Sequence, residues 1–450
     1  MIKKLFLIAF LICTLTLTFN TKQTKANPDD IYVPYQYDTI QKAINAANPG
    51  DHIHVTGTYH EHITVNKTLT LTGEGEAIID GDEIGTVVNI TSNSVIIENL
   101  KIYNAGPDWG NKDSGIKLLG RTNCFILNNW INNSRIGIYA AYDCSYIRII
   151  ENTITHSIEG VRIVYSPYTT ILANNFQNNG VSVFLDGINT KFTLVKSNVI
   201  TDGQQGMHLQ YWASNNTIVN NWVMGNTIYG VSLSQSQNNT IYHNNFIENA
   251  QQASIGSSNY NKWDIGWPDG GNHWSDHNLK DDKNGQYQNQ LGSDGICDSV
   301  YTVYGADIDK YPLAAPINLF EVPLGFITEE VSIISNSTIS YFQMNTTEKI
   351  MKFNVTGETG SGFCRVDIPN TIVSAAWEYN YTVLIEGELP LYIRNWTHTS
   401  TTYIYFTYEH STKEVIIIPE FTTFMILTLF MITTLFAAVA TTRRKIIKIH

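Results

Sequence analysis

Asn129, Asn152, Asn175, Asn198 and Asn221 stand 23 residues apart, and Asn244-Asn245 continues the series. A constant period of this length constrains the fold more than any other feature of the chain. Each asparagine precedes a strand-like or apolar residue, from Trp130 to Phe246, and follows a short strand pattern such as Tyr146-Ile147-Arg148-Ile149-Ile150. A second unit, glycine then apolar, polar, apolar, recurs at Gly115, Gly137, Gly160, Gly206 and Gly230. Three short alternating strands per repeat, with no helical stretch between them, cannot build βαβ units. They can close one triangular coil, and coils stacked about 4.8 Å apart pair every backbone group with the coil above and below. The expected architecture is all-β, a parallel β-helix with apolar residues in inward columns. The recurring asparagine is explained if its side chain bonds the backbone of neighbouring coils. The recurring glycine is explained if its corner needs a tight or left-handed backbone. A β-sandwich of short strands would not hold a constant period.

A solenoid needs caps. Asp38–Ala47 reads as a short amphipathic helix with Ile40, Ala43, Ile44 and Ala47 on one face, ended by Asn48-Pro49-Gly50. The solenoid and its caps are expected over residues 27–315. Beyond Pro312 and Pro316 the period stops, and residues 316–415 alternate differently, as in Ile350–Val355 and Tyr403–Tyr408. Some seven strands there read as a small β-sandwich serving as a stalk. Lys3 and Lys4 before an apolar run and a polar exit read as a signal peptide over 1–26. Phe424–Ala440 is almost wholly apolar and is followed by Arg443, Arg444, Lys445 and Lys448. About 20 apolar residues span a bilayer, so 416–442 is expected to be a transmembrane helix or sorting segment. The basic tail, 443–450, would then lie in the cytoplasm and the body outside the cell.

The two termini hold eight of the 28 basic residues but one of the 40 acidic ones, so the body is more acidic than the chain's net −12. That excludes nucleic acid as a partner, since phosphate binding needs a positive surface. Cys124, Cys144, Cys297 and Cys364 show no CxxC spacing, which argues against structural zinc. Cys124 and Cys144 fall on successive repeats and could pair in an oxidising compartment. Sequons such as Asn66-Lys67-Thr68 and Asn395-Trp396-Thr397 are compatible with a glycosylated exterior.

The segments Ile31-Tyr32-Val33-Pro34, Thr39–Ile44 and Gly50–Val55, with Gly57–Glu61 and Leu69–Gly73, resemble the opening of NosD-type, pectin-lyase-like right-handed parallel β-helix proteins. The repeats resemble the carbohydrate-binding and sugar-hydrolase type of that fold. Trp263-Asp264, Gly270–Asp276, Gly292–Asp298 and Asp309–Leu313 resemble the family's closing motif, with Cys297 in place of the usual Gly and His277 in place of a usual Tyr. Pro419-Glu420-Phe421 resembles the PEF-type sorting signal of archaeal surface proteins. The resemblance implies the fold firmly, but not an activity, because this fold carries lyases, hydrolases, epimerases and pure binding proteins.

Three groups of residues are candidate sites. Asp276, Asp281, Asp282, Asp294 and Asp298 lie among Gly285, Gly292 and Gly295, and oxygen-rich bent loops suit Ca²⁺. His52, His54, His60 and His62 would point outward from neighbouring strands and could hold Cu²⁺, Ni²⁺ or Zn²⁺; copper is what the NosD resemblance brings to mind, and calcium is the preferred ion. Tyr142, Tyr165 and Tyr211, each five residues after a repeat glycine, share an outer column with Trp212, Arg162 and Asp186. Flat rings beside polar groups make a saccharide platform. Glu151, Glu159, Asp186 and Asp202 form no close pair at the repeat spacing, as a glycosidase would need. The expected function is that of a cell-surface, carbohydrate-binding or adhesive β-helix rather than an enzyme. Its expected partner is an extracellular polysaccharide or envelope component. A polysaccharide-active enzyme and a NosD-type copper-handling accessory are the alternatives.

Overall fold

The computed structural model describes residues 29–420 apart from Asn259 and Ala306; the expected signal peptide and most of the expected membrane segment lie outside the described residues. Strand Asp30–Val33 and helix α1, Ile40–Ala46, close the N-terminal end. Thr39 caps α1 by accepting a hydrogen bond from the Lys42 N–H, and Ile40, Ala43 and Ile44 are buried beneath it. The apolar face expected from the sequence is the face that packs.

From Ile96 onward each coil lays down two three-residue strands and one longer strand, as in Arg148–Ile150, Thr153–Thr155 and Glu159–Val164. The strands of neighbouring coils pair in parallel above and below, for example Ile149 with Ile126 and Ile171, and Val161 with Ile138 and Val183. The first two faces run into one 18-stranded sheet, and the third face is a nine-stranded sheet. The inward rows are fully buried. The fold is the right-handed parallel β-helix.

A ladder of buried asparagines runs up the first turn: Asn129, Asn152, Asn174, Asn198, Asn221, Asn244 and Asn272. From Asn152 onward each carboxamide oxygen accepts the backbone N–H of the asparagine one coil earlier, at 2.9–3.1 Å, and Asn129 Oδ1 accepts from Leu100 N at 3.0 Å. Each Nδ2 donates to a carbonyl of the preceding coil, such as Ile126 O at 2.8 Å. The third rung is Asn174, not Asn175, because the coils on either side of it differ by 22 and 24 residues. Shorter ladders, Asn216–Asn239–Asn261 and Asn226–Asn249, occupy the other two turns. Asp309 ends the main ladder by accepting from Asn272 N and Trp274 Nε1.

The repeat glycines serve a different purpose from the one expected. None of the five has positive φ. A Cβ on any of them would instead lie 2.5–2.8 Å from a carbonyl oxygen of the next coil. Along this turn the left-handed residues are Asn128, Glu151, Ala173, Ser197, Asn220 and His243, each just before a ladder asparagine. Cys124 and Cys144 are buried, free thiols.

Residues 317–419 form two antiparallel sheets of five and four strands, with helix α2, Asn370–Trp377, packed against them. That is nine strands rather than seven. The module docks on the closing loops of the solenoid through Arg365. This fully buried guanidinium ion-pairs with Asp367 at 2.8 Å and donates to Pro268 O at 2.6 Å and Asp294 O at 3.3 Å. Tyr403 Oη donates to Asp269 at 2.6 Å beside it. The last strand, Lys413–Pro419, pairs Ile416–Ile418 with Thr382–Leu384. The expected span, 416–442, therefore begins inside a β-sheet. Among the described residues no helix is long and apolar enough to cross a membrane. This corrects the transmembrane-helix reading at its near edge, Ile416–Pro419, which is strand; residues 421–442 lie outside the described residues.

Candidate functional site

The outer side of the third face, the nine-stranded sheet, carries a row of charged and aromatic side chains. Lys117, Tyr139, Arg162, Phe184, His208 and Ser232 occupy one outward row on successive coils. Arg162 Nη1 donates to Glu159 at 2.9 Å, and Nη2 donates to Asp186 at 2.5 Å. The carboxylates that the sequence left unpaired thus share one guanidinium, itself stacked 4.3 Å from the Phe184 ring centroid. All three side chains are at most 11 % exposed, so the ions are held well out of water. Burial pushes the Glu159 carboxyl up, against the pull of Arg162. Burial pushes His208 down, against the pull of Asp186 and with Arg162 adding to it, which favours the neutral imidazole. His208 Nε2 is buried with no protein partner. Burial and the Tyr142 hydroxyl beside it drive the Tyr139 phenol up.

The loop after strand Lys101–Tyr103 folds over this row and brings Trp109 onto it. Lys112 Nζ lies 3.3 Å from the Trp109 ring centroid, and the guanidinium carbons of Arg135 and Arg162 lie at 4.6 and 4.9 Å. Three cations on one indole is an excess over ordinary cation–π pairing. Of the three, Arg162 alone has a carboxylate partner among the described residues. Burial and the charge of Arg162 hold Lys112 below the usual ammonium range.

Tyr142, Tyr165, Tyr211 and Trp212 lie at the corner where the third face ends, each 40–55 % exposed. The Tyr142 and Tyr165 rings stack with centroids 6.5 Å apart. Tyr165 lies over Gly187, where a Cβ would come 2.3 Å from the ring, so the column is interrupted there to seat it. A second exposed stack, Tyr146, Tyr168 and Phe192, with centroids 5.1 and 5.2 Å apart, borders the same corner. The near-regular spacing of these three was visible in the sequence but was not singled out. Also missed were Trp109 and Lys112, which lie on a loop outside the repeat, and Tyr139; Glu159 was weighed only as a carboxylate without a close partner.

The five aspartates of the closing loops do not meet at one point. Asp281 accepts from Asp294 N and Gly295 N, Asp298 from Asp282 N and Lys283 N, and Asp294 from Trp267 Nε1 and Gln288 Nε2. Asp276 accepts from Tyr301 Oη, and Asp282 pairs with Lys280. No three of them bring ligand atoms within 4.8 Å of one another. Burial and the Asp294 charge push Asp281 up to about 8. The four histidines divide. His52 and His54 converge with Asp30, and His60 lies with Asp80 and Asp82. His62 contacts Thr86 O.

Residues 85–247 match the family model described as a right-handed β-helix region. A search of curated protein sequences finds no match. Among solved structures the chain is similar to the Dettilon tailspike protein at 11% identity and TM-score 0.43, covering 86% of this chain and 93% of that one. It is similar to pectate lyase Pel9A at 12% identity and TM-score 0.37, covering 54% and 81%. It is also similar to the A-module of an Azotobacter vinelandii mannuronan C-5 epimerase at 16% identity and TM-score 0.33, covering 49% and 75%.

Proposed function

We propose that this is an exported protein whose solenoid binds an extracellular polysaccharide bearing acidic groups along the outer side of its third face. The observation that carries the reading is the juxtaposition on that side. An exposed aromatic corner, Tyr142–Tyr165–Tyr211–Trp212, adjoins a patch where three cations surround Trp109 and one of them is neutralised. Sugar rings stack on exposed aromatics through their C–H faces, and unpaired cations inside an acidic protein favour an anionic ligand. Arg135 and Lys112 would take the acidic groups, while Arg162, held by Glu159 and Asp186, keeps the patch rigid. The closing module braces the end of the solenoid through Arg365.

A second reading rests on one observation. Two buried carboxylates on Arg162, with the neutral imidazole of His208 two coils away, could form the acid–base centre of a polysaccharide-active enzyme. One experiment separates the two. The purified protein is titrated with a polyuronate, a sulfated glycan and a neutral glucan, and the supernatants are analysed for new reducing ends, unsaturated products and epimerised residues. The binding reading expects saturable, salt-sensitive binding of the acidic glycans, weakened about tenfold or more by Tyr165→Ala and by Arg135→Gln, with no product. Equal binding of the neutral glucan, or none of the acidic ones, refutes it. A product lost in Glu159→Gln transfers the site to the enzymatic reading.

A further inference from the structure

The first three layers of the solenoid bring Asp30, His52, His54 and Glu74 together at the N-terminal end. Asp30 is on the capping strand in register with His52, and His54 lies two residues on, facing the same side of the sheet. Glu74 and Thr72 come from the next layer, whose strand pairs with His52–His60. The two imidazole centroids are 4.1 Å apart, and Tyr32 stacks on His54 at 4.7 Å, so the rings are held in place.

The hydrogen bonds leave this group short of donors. Thr72 Oγ1 donates to Glu98 at 2.7 Å and so must accept at its contact with His52 Nε2, also 2.7 Å. That puts the His52 proton on Nε2 and leaves Nδ1 as a bare lone pair. The carboxylate of Glu74 can only accept from His54 Nδ1, at 2.7 Å, which leaves Nε2 bare in the neutral ring. Both lone pairs face one oxygen: Asp30 Oδ1 is 3.2 Å from His54 Nε2 and 3.8 Å from His52 Nδ1. Three acceptors facing one another repel unless a cation stands between them. Ligands bound to zinc at about 2.0–2.2 Å lie about 3.4 Å apart around a tetrahedron, close to the separations seen. The outward nitrogens are moreover held by Glu74 and Thr72, the second-sphere pattern that orients metal-bound imidazoles.

We propose that Asp30, His52 and His54 bind a divalent transition metal of the zinc class, oriented by Glu74 and Thr72, that clips the capping strand to the first coil. Solvent supplies the fourth ligand, because Asp30 is 59 % exposed on its side chain. The neighbouring group, His60 with Asp80 and Asp82, is not equivalent. Asp80 is already taken by Asn104 Nδ2 and Asp82 N, and one histidine serves the whole cluster.

The test uses the purified full chain, stripped with chelator, at pH 7.5. Zn²⁺ is titrated by calorimetry in the presence of excess Ca²⁺, and unfolding is followed with and without the metal. The proposal expects one tight Zn²⁺ per chain, insensitive to Ca²⁺, and a rise in unfolding temperature with Zn²⁺. His54→Ala and Asp30→Asn should each abolish the tight step, and Glu74→Gln should weaken it by about 10–100-fold. His60→Ala should leave it intact. X-ray absorption of the loaded protein should show two imidazoles. No binding at millimolar Zn²⁺ would mean that a proton fills the gap, and the proposal falls. It falls equally if the tight step survives in both His54→Ala and Asp30→Asn, or disappears in His60→Ala.

Discussion

Asn174 and Asn175 are adjacent and chemically identical, yet the structure assigns them opposite fates. Asn174 is buried in the ladder, and Asn175 is an exposed strand residue. Asn174→Ala removes the oxygen that accepts Asn152 N–H at 2.9 Å and the amide that donates to Ile149 O at 2.9 Å. Both atoms left behind are in the interior, where water cannot replace the partner. At about 1–3 kcal/mol for each unsatisfied buried group, the substitution should cost about 2–6 kcal/mol. Asn175→Ala, a surface change, should stay within about 0.5 kcal/mol. Urea unfolding followed by far-UV circular dichroism measures both variants under one protocol. Because a stack of coils can lose cooperativity, midpoint and slope must be compared together. Equal effects, or a larger loss for Asn175→Ala, would refute the ladder register and the argument built on it.

Other outcomes follow from the same geometry. Gly137→Ala places a methyl group 2.5 Å from Gly160 O and should cost about 1–3 kcal/mol in the same assay, the range for forced overpacking. Arg365→Met strips Asp367 and the carbonyls of Pro268 and Asp294 of their partner. It should cost about 3–5 kcal/mol and expose the 316–317 junction to limited proteolysis before the solenoid unfolds. Asp281, pushed up to about 8, and Asp309, pushed up to about 7, hold protons in the folded chain that the unfolded chain has lost by about pH 4. The folded state therefore binds more protons across that window, and stability should fall as pH rises from about 4 to about 8. Asp281→Asn should flatten that slope; a steeper slope in the variant would contradict the assignment.

The period made the solenoid readable because stacking forces each coil to nearly equal length, and the ladder asparagine is its loudest repeated letter. The same regularity misled at Asn175, since one coil is a residue short and the next a residue long, an exchange invisible to a fixed ruler. The repeat glycine was legible as a constraint but not as to its cause: a close carbonyl and a left-handed turn leave the same letter. Arg162 and Asp186 could be placed in the site from their offsets. Glu159 could not, because residues three apart on a regular strand face opposite sides. Its carboxylate nonetheless meets Arg162 Nη1 at 2.9 Å. Trp109 was hidden for another reason: it arrives on a loop outside the repeat, and no periodicity reports where a loop folds back. The membrane reading erred at its near edge, where Ile416–Ile418 are apolar enough for lipid but serve as a central strand of a sheet.

The asparagine ladder also makes the solenoid a ruler with fixed graduations. Leu194 and Thr217 are in register, so removing residues 194–216 would join Thr193 to Thr217 and bring Asn174 opposite Asn221, a rung of the same kind. The length of the body can thus change only in whole steps of about 4.8 Å. The strand positions of the outer row, from Lys117 to Ser232, advance by that step once per coil. A chain built this way can lengthen or shorten its reach along a polymer by gaining or losing a coil, with no rung left unmatched.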